Sequence, residues 1–255
     1  MKEMNDLIHF TLRMADLPVE VFCQFESTRE YCADYLRNDG TAPDRSITVS
    51  EEILVEEQRQ LRMKGDPGAE NRNVVENYSL CRALAEYLPS RDRVLFHGSS
   101  LALDGNGVLF TAKSGTGKST HTRLWREVFG NRVAMINDDK PILHIGPENT
   151  RIYGSPWRGK HRLGSNLSAP LRAICIVCRD AENRILRLSP REALPTLLQQ
   201  TYMPQDPRML RQTLALADRL SRTVPVYRLY CNMDPQAAVV ACEGLELEKK
   251  KVGTI

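Results

Sequence analysis

A glycine-rich stretch near the middle of the chain has the residue types and spacing of a phosphate-binding loop. Residues 112–120 read AKSGTGKST and lie between an apolar run, Val108–Thr111, and a segment with helical periodicity. Glycines let the backbone approach a phosphate closely, so that successive N–H groups can point at one anion. Lys118 would contact the β- and γ-phosphates of a nucleotide, and the Ser119 hydroxyl would coordinate Mg²⁺. We therefore predict that phosphates are bound by Ser114, Gly115, Thr116, Gly117, Lys118, Ser119 and Thr120.

This loop departs at one position from the consensus G-x-x-x-x-G-K-[ST], because Ala112 stands where the first glycine would be. The alternative interpretation is a surface turn rich in Gly, Ser and Thr that contains a lysine by chance. The strand-like run before the loop and the helical pattern after it favour the phosphate loop.

An Asn-Asp-Asp sequence at residues 137–139 follows the apolar run Val133–Ile136. Carboxylates at a strand end beside a phosphate loop can hold Mg²⁺ and can accept the proton of an attacking hydroxyl. We predict that Asp138 and Asp139 share these roles, with Ser119 and Asp139 as metal ligands, and that the two carboxylates point to opposite sides. The alternative is a solvated turn, because Asn-Asp-Asp before Lys-Pro is also good turn chemistry.

Other side chains are candidates for contact with a transferring phosphoryl group. His97 follows the apolar run Val94–Phe96, where a histidine can orient a phosphate or share a proton with an aspartate. Residues 153–162 (YGSPWRGKHR) form a glycine-punctuated segment with four basic side chains. Within it, Arg158 and Lys160 are the candidates for stabilising charge in the transition state. A structural histidine and a solvated basic turn are the alternatives.

The composition is that of a globular protein and limits the partners. The 255 residues are 42% hydrophobic, and 35 basic against 32 acidic side chains leave a formal net charge of +3. Because so small a charge creates no broad positive field, we expect neither nucleic acid nor membrane as a main partner. The seven scattered cysteines and the lack of a long apolar run predict a cytoplasmic protein. Cys175 and Cys178 lie in a strand-like run, which favours core residues over a metal or redox pair.

Apolar periodicity predicts an α/β fold with a small N-terminal α/β extension at residues 1–90. In the extension we expect strands at 7–10, 19–22 and 47–49 and helices at 28–36 and 74–88. Residues 91–244 alternate strands with helices, as in a nucleotide-binding α/β domain. The strands are predicted at 94–96, 108–111, 133–136, 173–177 and 226–229, and the helices at 120–129, 191–200, 209–220 and 236–242. Residues 245–255 are predicted to be a flexible tail.

The order of these motifs resembles the catalytic domain of HPr kinase/phosphorylase. That family has a His-Gly pair, a Gly-x-Gly-Val-Leu strand, a phosphate loop and paired aspartates, here His97-Gly98, 105–109, 114–119 and Asp138-Asp139. The wider superfamily includes the ATP-dependent phosphoenolpyruvate carboxykinases, whose loop also reads Ser-Gly-Thr-Gly-Lys. The resemblance spans residues 93–180, with its motifs confined to 97–139.

The resemblance implies a P-loop domain on a mixed, strongly twisted sheet and gives the motif residues roles. His97 would be an active-site histidine, Lys118 and Ser119 would bind nucleotide and metal, and one aspartate would be the base for a serine hydroxyl. The family forms oligomers, so a homo-oligomer is also implied. Thr120 and His121 depart from the family, which has an acidic residue after the loop serine. The chain is about half as long as a carboxykinase, and residues 1–90 match neither family.

We therefore expect an ATP- and Mg²⁺-dependent kinase that transfers the γ-phosphoryl group to a hydroxyl of a protein, peptide or small molecule. Little covalent chemistry is required of the protein, since positioning and charge neutralisation suffice. One alternative is a carboxykinase-type lyase acting on a C4 dicarboxylate. Another is a nucleotide-binding regulator without catalytic activity.

Overall fold

The N-terminal part of the chain forms a small four-stranded sheet with helices packed on it. The computed structural model describes residues 7–247. Strands β1 (Ile8–Met14) and β2 (Leu17–Cys23) form an antiparallel hairpin, and β3 (Leu36–Arg37) and β4 (Arg45–Thr48) flank it in the order β3-β1-β2-β4. Both strands of the hairpin are longer than the sequence predicted, and only residues 15 and 16 form the turn between them. Alternate side chains along both strands are buried.

The helices of this part are α1 (Glu26–Tyr31), α2 (Glu51–Met63) and α3 (Arg72–Tyr87). The predicted helix at 28–36 is wrong beyond Tyr31, where a short 3-10 turn (Ala33–Tyr35) leads into β3. Helix α2 was not predicted, although Ser50 caps it by accepting a hydrogen bond from the Ile53 amide. Serine before two glutamates is a typical helix start, so the signal was present in the sequence.

The remainder of the chain is organised around a nine-stranded mixed sheet. Seven of its strands are paired in the order β5-β9-β10-β11-β7-β6-β8. Strand β13 also pairs with β11, and β12 pairs with β13. The bounds of the strands are β5 Arg93–Leu95, β6 Ser99–Leu103, β7 Asn106–Thr111, β8 Val133–Asn137, β9 Ile142–Ile145, β10 Thr150–Tyr153, β11 Ser168–Arg179, β12 Arg184–Arg187 and β13 Val226–Cys231. Strand β7 pairs in parallel with β11 and antiparallel with β6, so the prediction of a mixed sheet is confirmed.

Helices cover both faces of the central strands, and the alternation of side chains along β7 divides the core between them. Val108 and Phe110 pack with helices α4 (Lys118–Phe129) and α7 (Gln236–Gly244). Leu109 belongs to the opposite cluster, which contains residues of α5 (Pro190–Gln200) and α6 (Pro207–Thr223). A strand buried on both faces is held rigidly, so the loop that follows β7 starts from a fixed point.

The N-terminal layer shares a hydrophobic core with the large sheet. The cluster that contains the interior of β1 and β2 continues through Leu95 and Ile142 to Trp157. The Trp157 indole N–H donates to the Asn77 carbonyl at 3.1 Å, and the Tyr153 hydroxyl donates to Asp16 at 2.6 Å. Helix α3 and the turn between β1 and β2 are therefore fixed next to β10 and the segment that follows it.

All seven cysteines are free thiols, and they include Cys175, which is fully buried in β11. Leu245 is buried in the cluster around α7, so the predicted tail begins later than residue 245. The rest of that predicted tail, from residue 248, lies outside the described residues. Within residues 7–247 no helix is both long enough and apolar enough to cross a bilayer.

Candidate functional site

The phosphate loop connects the end of β7 to the start of α4. Gly117 is the N-cap of α4 with a φ of 121°, and the helix has no side-chain cap. A positive φ disfavours any residue with a Cβ, which explains the glycine at this position. The first N–H groups of a helix have no partners within the helix, and the helix dipole adds positive potential at the same end. The loop and the first turn of α4 can therefore surround a phosphate with N–H donors.

Lys118 lies at the bottom of this loop. It is only 9% exposed, and its ammonium group donates to the Ala112 carbonyl at 3.2 Å. Burial lowers the pKa of Lys118, while the carboxylates of Asp139 and Asp138 act in the opposite direction. A buried ammonium group with a single neutral partner gains stabilisation when an anion binds next to it.

Arg179, at the end of β11, supports the loop from outside. Its guanidinium donates to the Thr116 carbonyl at 3.0 Å and also to the Gly115 carbonyl. These bonds occupy carbonyl groups on the outer side of the loop. They stabilise the loop conformation in which N–H groups are available on the inner side.

The loop forms one wall of a cavity of about 340 Å³, which we call the phosphate cavity. It brings together groups that the sequence predicted separately: the loop residues, His97, both aspartates and Lys160. The residues that line it are His97, Ser114, Gly115, Gly117, Lys118, Ser119, Thr120, Asp138, Asp139, Gly159, Lys160 and His161. Thr116 faces a different cavity, described below.

The two aspartates lie in a tight turn that begins where β8 ends. The side chain of Asn137 accepts hydrogen bonds from the amides of Asp139 at 2.9 Å and Lys140 at 2.7 Å. The segment is therefore both a turn, as the alternative interpretation held, and a wall of the phosphate cavity. The strand ends at Asn137, so the turn determines the directions of Asp138 and Asp139, and strand alternation does not.

The aspartates differ in their contacts. Asp138 is 7% exposed and accepts a hydrogen bond of 2.5 Å from the Ser99 hydroxyl. Asp139 is less buried and forms an ion pair of 2.7 Å with Lys140. Burial alone would lower the pKa of Lys140, but the ion pair raises it overall. Asp138 is thus held in place by a neutral donor, whereas Asp139 lies between cations and faces the open part of the site.

His97 is held by a residue far away in the sequence. Its Nδ1 lies 2.9 Å from the side-chain oxygen of Gln200, and its Nε2 lies 3.6 Å from Asp139. An amide oxygen only accepts hydrogen bonds, so Nδ1 carries the proton and Nε2 is left with a lone pair. Burial and the charge of Lys118 lower the pKa of His97. The lowered pKa favours the neutral ring, which can accept a proton or a hydrogen bond at Nε2, although the Asp139 carboxylate acts in the opposite direction.

The two basic candidates in the segment after β10 lie in different places. Lys160 lines the phosphate cavity. Arg158 does not: it pairs with Asp34 and lies 5.6 Å from the centre of the Tyr35 ring. Its contacts are those of a residue that joins the N-terminal layer to the large sheet. Between them, Gly159 has a φ of 69°, and a Cβ there would lie 3.0 Å from the Cβ of Asp139, so glycine lets the segment pass close to the aspartate.

Several residues of the site were not found from the sequence. Ser99 binds Asp138 and Thr122, Lys140 pairs with Asp139, and Gln200 holds His97. Lys140 had a usable signal, since it follows the aspartates directly. Ser99 and Gln200 had none, because their partners lie 39 and 103 residues away in the sequence.

A second cavity adjoins the phosphate cavity on the side of the aspartate turn. It has a volume of about 410 Å³, and we call it the aromatic cavity. Helices α1 and α3 form one wall, and the aspartate turn with the segment after β10 forms the other. Its lining residues are Tyr31, Val74, Asn77, Tyr78, Asp139, Lys140, Trp157, Gly159 and Lys160. The N-terminal layer, for which the sequence predicted no function, thus reaches the candidate site.

A third cavity, of about 380 Å³, lies on the other side of the loop at the ends of β11 and β13, and we call it the strand-end cavity. It shares Gly117 and Thr120 with the phosphate cavity. Its lining residues are Thr116, Gly117, Thr120, His121, Val177, Arg179, Asp180, Cys231, Asn232 and Met233. The His121 ring accepts a hydrogen bond of 2.9 Å from the Trp125 indole.

His121 should make stability depend on pH. Burial lowers its pKa to about 4 from an ordinary value of 6.5, because its only ring partner is the neutral indole. Between pH 6.5 and pH 4 the unfolded chain therefore binds a proton at His121 that the folded chain does not bind. The contribution of the neutral His121 ring to stability is complete above pH 6.5 and is lost as the pH falls toward 4. Linkage gives a loss of about 3 kcal/mol by pH 4.

The measurement is the free energy of unfolding in urea at pH 7 and pH 4.5 for the wild type and for His121→Gln. The variant should lose less stability on acidification than the wild type. His161→Gln, at an exposed position, is the matched control and should behave as the wild type. An equal loss in wild type and His121→Gln would contradict the prediction.

The oxygen donors next to the loop suit Mg²⁺. Within residues 7–247 no group of three or more His, Cys, Asp and Glu side chains is arranged to hold a metal ion by itself. Ser119 and Asp138 both line the phosphate cavity and offer a hydroxyl and a carboxylate. Mg²⁺ is commonly held by one or two such protein ligands together with substrate phosphates, so this donor set fits that ion.

Comparison with known proteins does not assign this chain to a family. No protein-family model matches the sequence, and no curated protein matches it. Among solved structures, the HPr(Ser) kinase/phosphatase from Coxiella burnetii is similar, with 11% identity, a TM-score of 0.34, and coverage of 61% of this chain and 99% of that chain. A structural relationship at this level is distant. The case for a function therefore rests on the side chains of the site.

Proposed function

We propose that this protein is a phosphotransferase that uses ATP and Mg²⁺ and moves the γ-phosphoryl group to a hydroxyl acceptor, on a P-loop domain of the HPr kinase type. The observation that supports this most is the content of the phosphate cavity. A lysine and the N-terminal turn of a helix lie on one side, and paired aspartates lie on the other. Such a cavity can bind a polyphosphate and can also act on the group that is transferred.

The loop would bind the phosphates of the nucleotide. Backbone N–H groups and the helix dipole would hold the β-phosphate, and Lys118 would exchange its contact with the Ala112 carbonyl for the β- and γ-phosphate oxygens. The Ser119 hydroxyl and Asp138 would hold the metal. The sequence suggested Asp139 for this role, but Asp138 lines only the phosphate cavity and is the better placed. When bound, Mg²⁺ neutralises charge on the phosphate oxygens.

Asp139 would be the catalytic base, because it lines both the phosphate cavity and the aromatic cavity. The acceptor hydroxyl gives its proton to Asp139 while its oxygen forms a bond to the γ-phosphorus. The bond from that phosphorus to the β–γ bridging oxygen breaks, and its electron pair stays on ADP. Lys160 would contact the transferring group, and the proton would pass from Asp139 to the lone pair on His97 Nε2 and from there to water.

The two alternatives from the sequence have less support. A lyase acting on a C4 dicarboxylate would need arginines for two carboxylates, whereas the basic side chains that line the phosphate and aromatic cavities are lysines and histidines. A regulator without activity would not need a carboxylate facing both cavities.

Calorimetry with ATP in the presence and absence of Mg²⁺ tests the proposal, followed by an assay of ADP formation with γ-labelled ATP and a mixture of metabolites. We expect binding in the micromolar to millimolar range, tightened by Mg²⁺, and acceptor-dependent release of ADP. An absence of heat at about 1 mM nucleotide, the weak limit for a specific site, would overturn the proposal. Release of CO₂ from oxaloacetate with ATP would identify the lyase instead.

A further inference from the structure

We propose that the aromatic cavity binds the acceptor, and that the acceptor is a small hydroxyl compound carrying a carboxylate. This inference rests on the proposed function, because it concerns the partner of the same site. It also assigns a role to the N-terminal layer, whose helices α1 and α3 form one wall of the cavity.

The position of the cavity is the first argument. The aromatic cavity shares Asp139, Gly159 and Lys160 with the phosphate cavity, while the strand-end cavity shares Gly117 and Thr120 with it at the opposite side of the loop. Attacking and leaving oxygens must lie roughly in line on opposite sides of the transferred phosphorus. If the nucleoside extends toward the strand-end cavity, the attacking hydroxyl enters from the aromatic cavity.

The charges around the cavity are the second argument. Lys140 and Lys160 line it, and the Arg162 guanidinium lies 4.8 Å from the ring centre of Tyr31, a wall residue. Asp139 is the acidic residue in the lining, and it is already paired with Lys140. Lys160 makes no ion pair or hydrogen bond within residues 7–247. An anionic group on the acceptor would therefore meet an ammonium group that has no protein partner to give up, at the border where Lys160 also reaches the transferring phosphoryl group.

The size of the cavity favours a small molecule. About 410 Å³ lies within the usual range of small-molecule sites, and the rings of Tyr31, Tyr78 and Trp157 form much of its wall. The transfer is the one written above: the hydroxyl oxygen bonds to the γ-phosphorus, its proton goes to Asp139, and ADP leaves with the bridging oxygen.

The test offers γ-labelled ATP and Mg²⁺ to the full-length protein with one acceptor at a time. L-serine and D-glycerate carry a hydroxyl and a carboxylate, glycerol and ethanolamine carry a hydroxyl without one, and a serine-containing peptide with blocked ends represents a protein segment. We expect label in L-serine or D-glycerate, or in both. Label only in glycerol, ethanolamine or the peptide, or in none of the five, overturns the inference.

A pair of matched variants locates the acceptor. Val74→Phe adds bulk to the wall of the cavity, and Val55→Phe adds the same bulk at a position of α2 that is 55% exposed. We expect Val74→Phe to raise the KM for the acceptor by about tenfold or more, with the affinity for ATP nearly unchanged. Val55→Phe should resemble the wild type. Equal KM values in all three proteins would place the acceptor elsewhere.

Because Val74→Phe could disturb folding, Tyr78→Ala, which enlarges the cavity, is measured alongside it with the thermal midpoint of each variant. Tyr78→Ala should also raise the acceptor KM.

The two proposals fail in different ways. Absence of nucleotide binding removes the proposed function itself, whereas ATP binding and turnover without labelling of a carboxylated acceptor removes only this inference.

Discussion

Asp139→Asn should lower the rate of phosphoryl transfer by about a thousandfold, the usual effect of removing a general base. The amide has the same shape as the carboxylate but cannot take the proton of the acceptor hydroxyl. Nucleotide affinity should change little, because the phosphates are held by the loop and by Lys118. The measurement is the initial rate of label transfer from γ-labelled ATP, together with calorimetry for binding.

Asp104→Asn is the matched control for this variant. Asp104 lies in the exposed turn between β6 and β7 with a φ of 48°, a conformation that asparagine tolerates well. It should behave as the wild type. A transfer rate for Asp139→Asn within about a factor of ten of the wild type would show that Asp139 is not the base. Asp138→Asn would then be the next variant to measure.

Asp139→Asn also separates catalysis from regulation. A nucleotide-dependent regulator would keep both its nucleotide affinity and its response to a partner, because neither requires a proton acceptor. A phosphotransferase would keep the affinity and lose turnover. The variant thus distinguishes a phosphotransferase from a nucleotide-dependent regulator.

Lys118→Met should reduce both the affinity for ATP and the transfer rate, the latter by at least about a hundredfold. Methionine keeps much of the length and the apolar stem of lysine but removes the charge that faces the phosphates. Lys118 is nearly buried, and its ammonium group lies against the backbone of the loop at the Ala112 carbonyl. Calorimetry and label transfer measure the two effects.

The control for Lys118→Met lies in the same loop. Lys113 belongs to the same loop, but it is exposed and does not line the phosphate cavity. Lys113→Met therefore removes one positive charge from the loop and leaves the cavity lining unchanged. It should retain almost full affinity and rate. If the two variants lost activity equally, the net charge of the loop would explain the effect and the specific contact of Lys118 would not.

The sequence was most informative where the chemistry depends on near neighbours. The candidate phosphate loop could be predicted because its glycines, Lys118 and Ser119 lie within a few residues of one another. The start of a helix after a strand also fixes where their N–H groups point. The same applies to the aspartates, which follow β8 directly. Mixed pairing around β7 was implied by a family resemblance and agrees with the observed sheet.

Tertiary structure decided the roles of neighbours that the sequence could not separate. Arg158 and Lys160 are two residues apart and equally basic. Arg158 pairs with Asp34, 124 residues earlier in the chain, whereas Lys160 lines the phosphate cavity. The aspartates are likewise distinguished by Ser99 and Lys140, and His97 is held by Gln200.

The amino-acid sequence by itself predicted the candidate phosphate loop, the neighbouring pair of carboxylates and the α/β class, because these follow from local backbone geometry and apolar periodicity, whereas the mixed sheet was implied by the family resemblance. Only the tertiary structure showed that the N-terminal layer forms a wall of the site and which carboxylate faces the aromatic cavity. The physical reason is that such contacts join residues far apart in the chain, such as Asn77 with Trp157, 80 positions apart, and Asp34 with Arg158, 124 positions apart. Packing of a shared core brings these residues together, and no spacing within the chain encodes it.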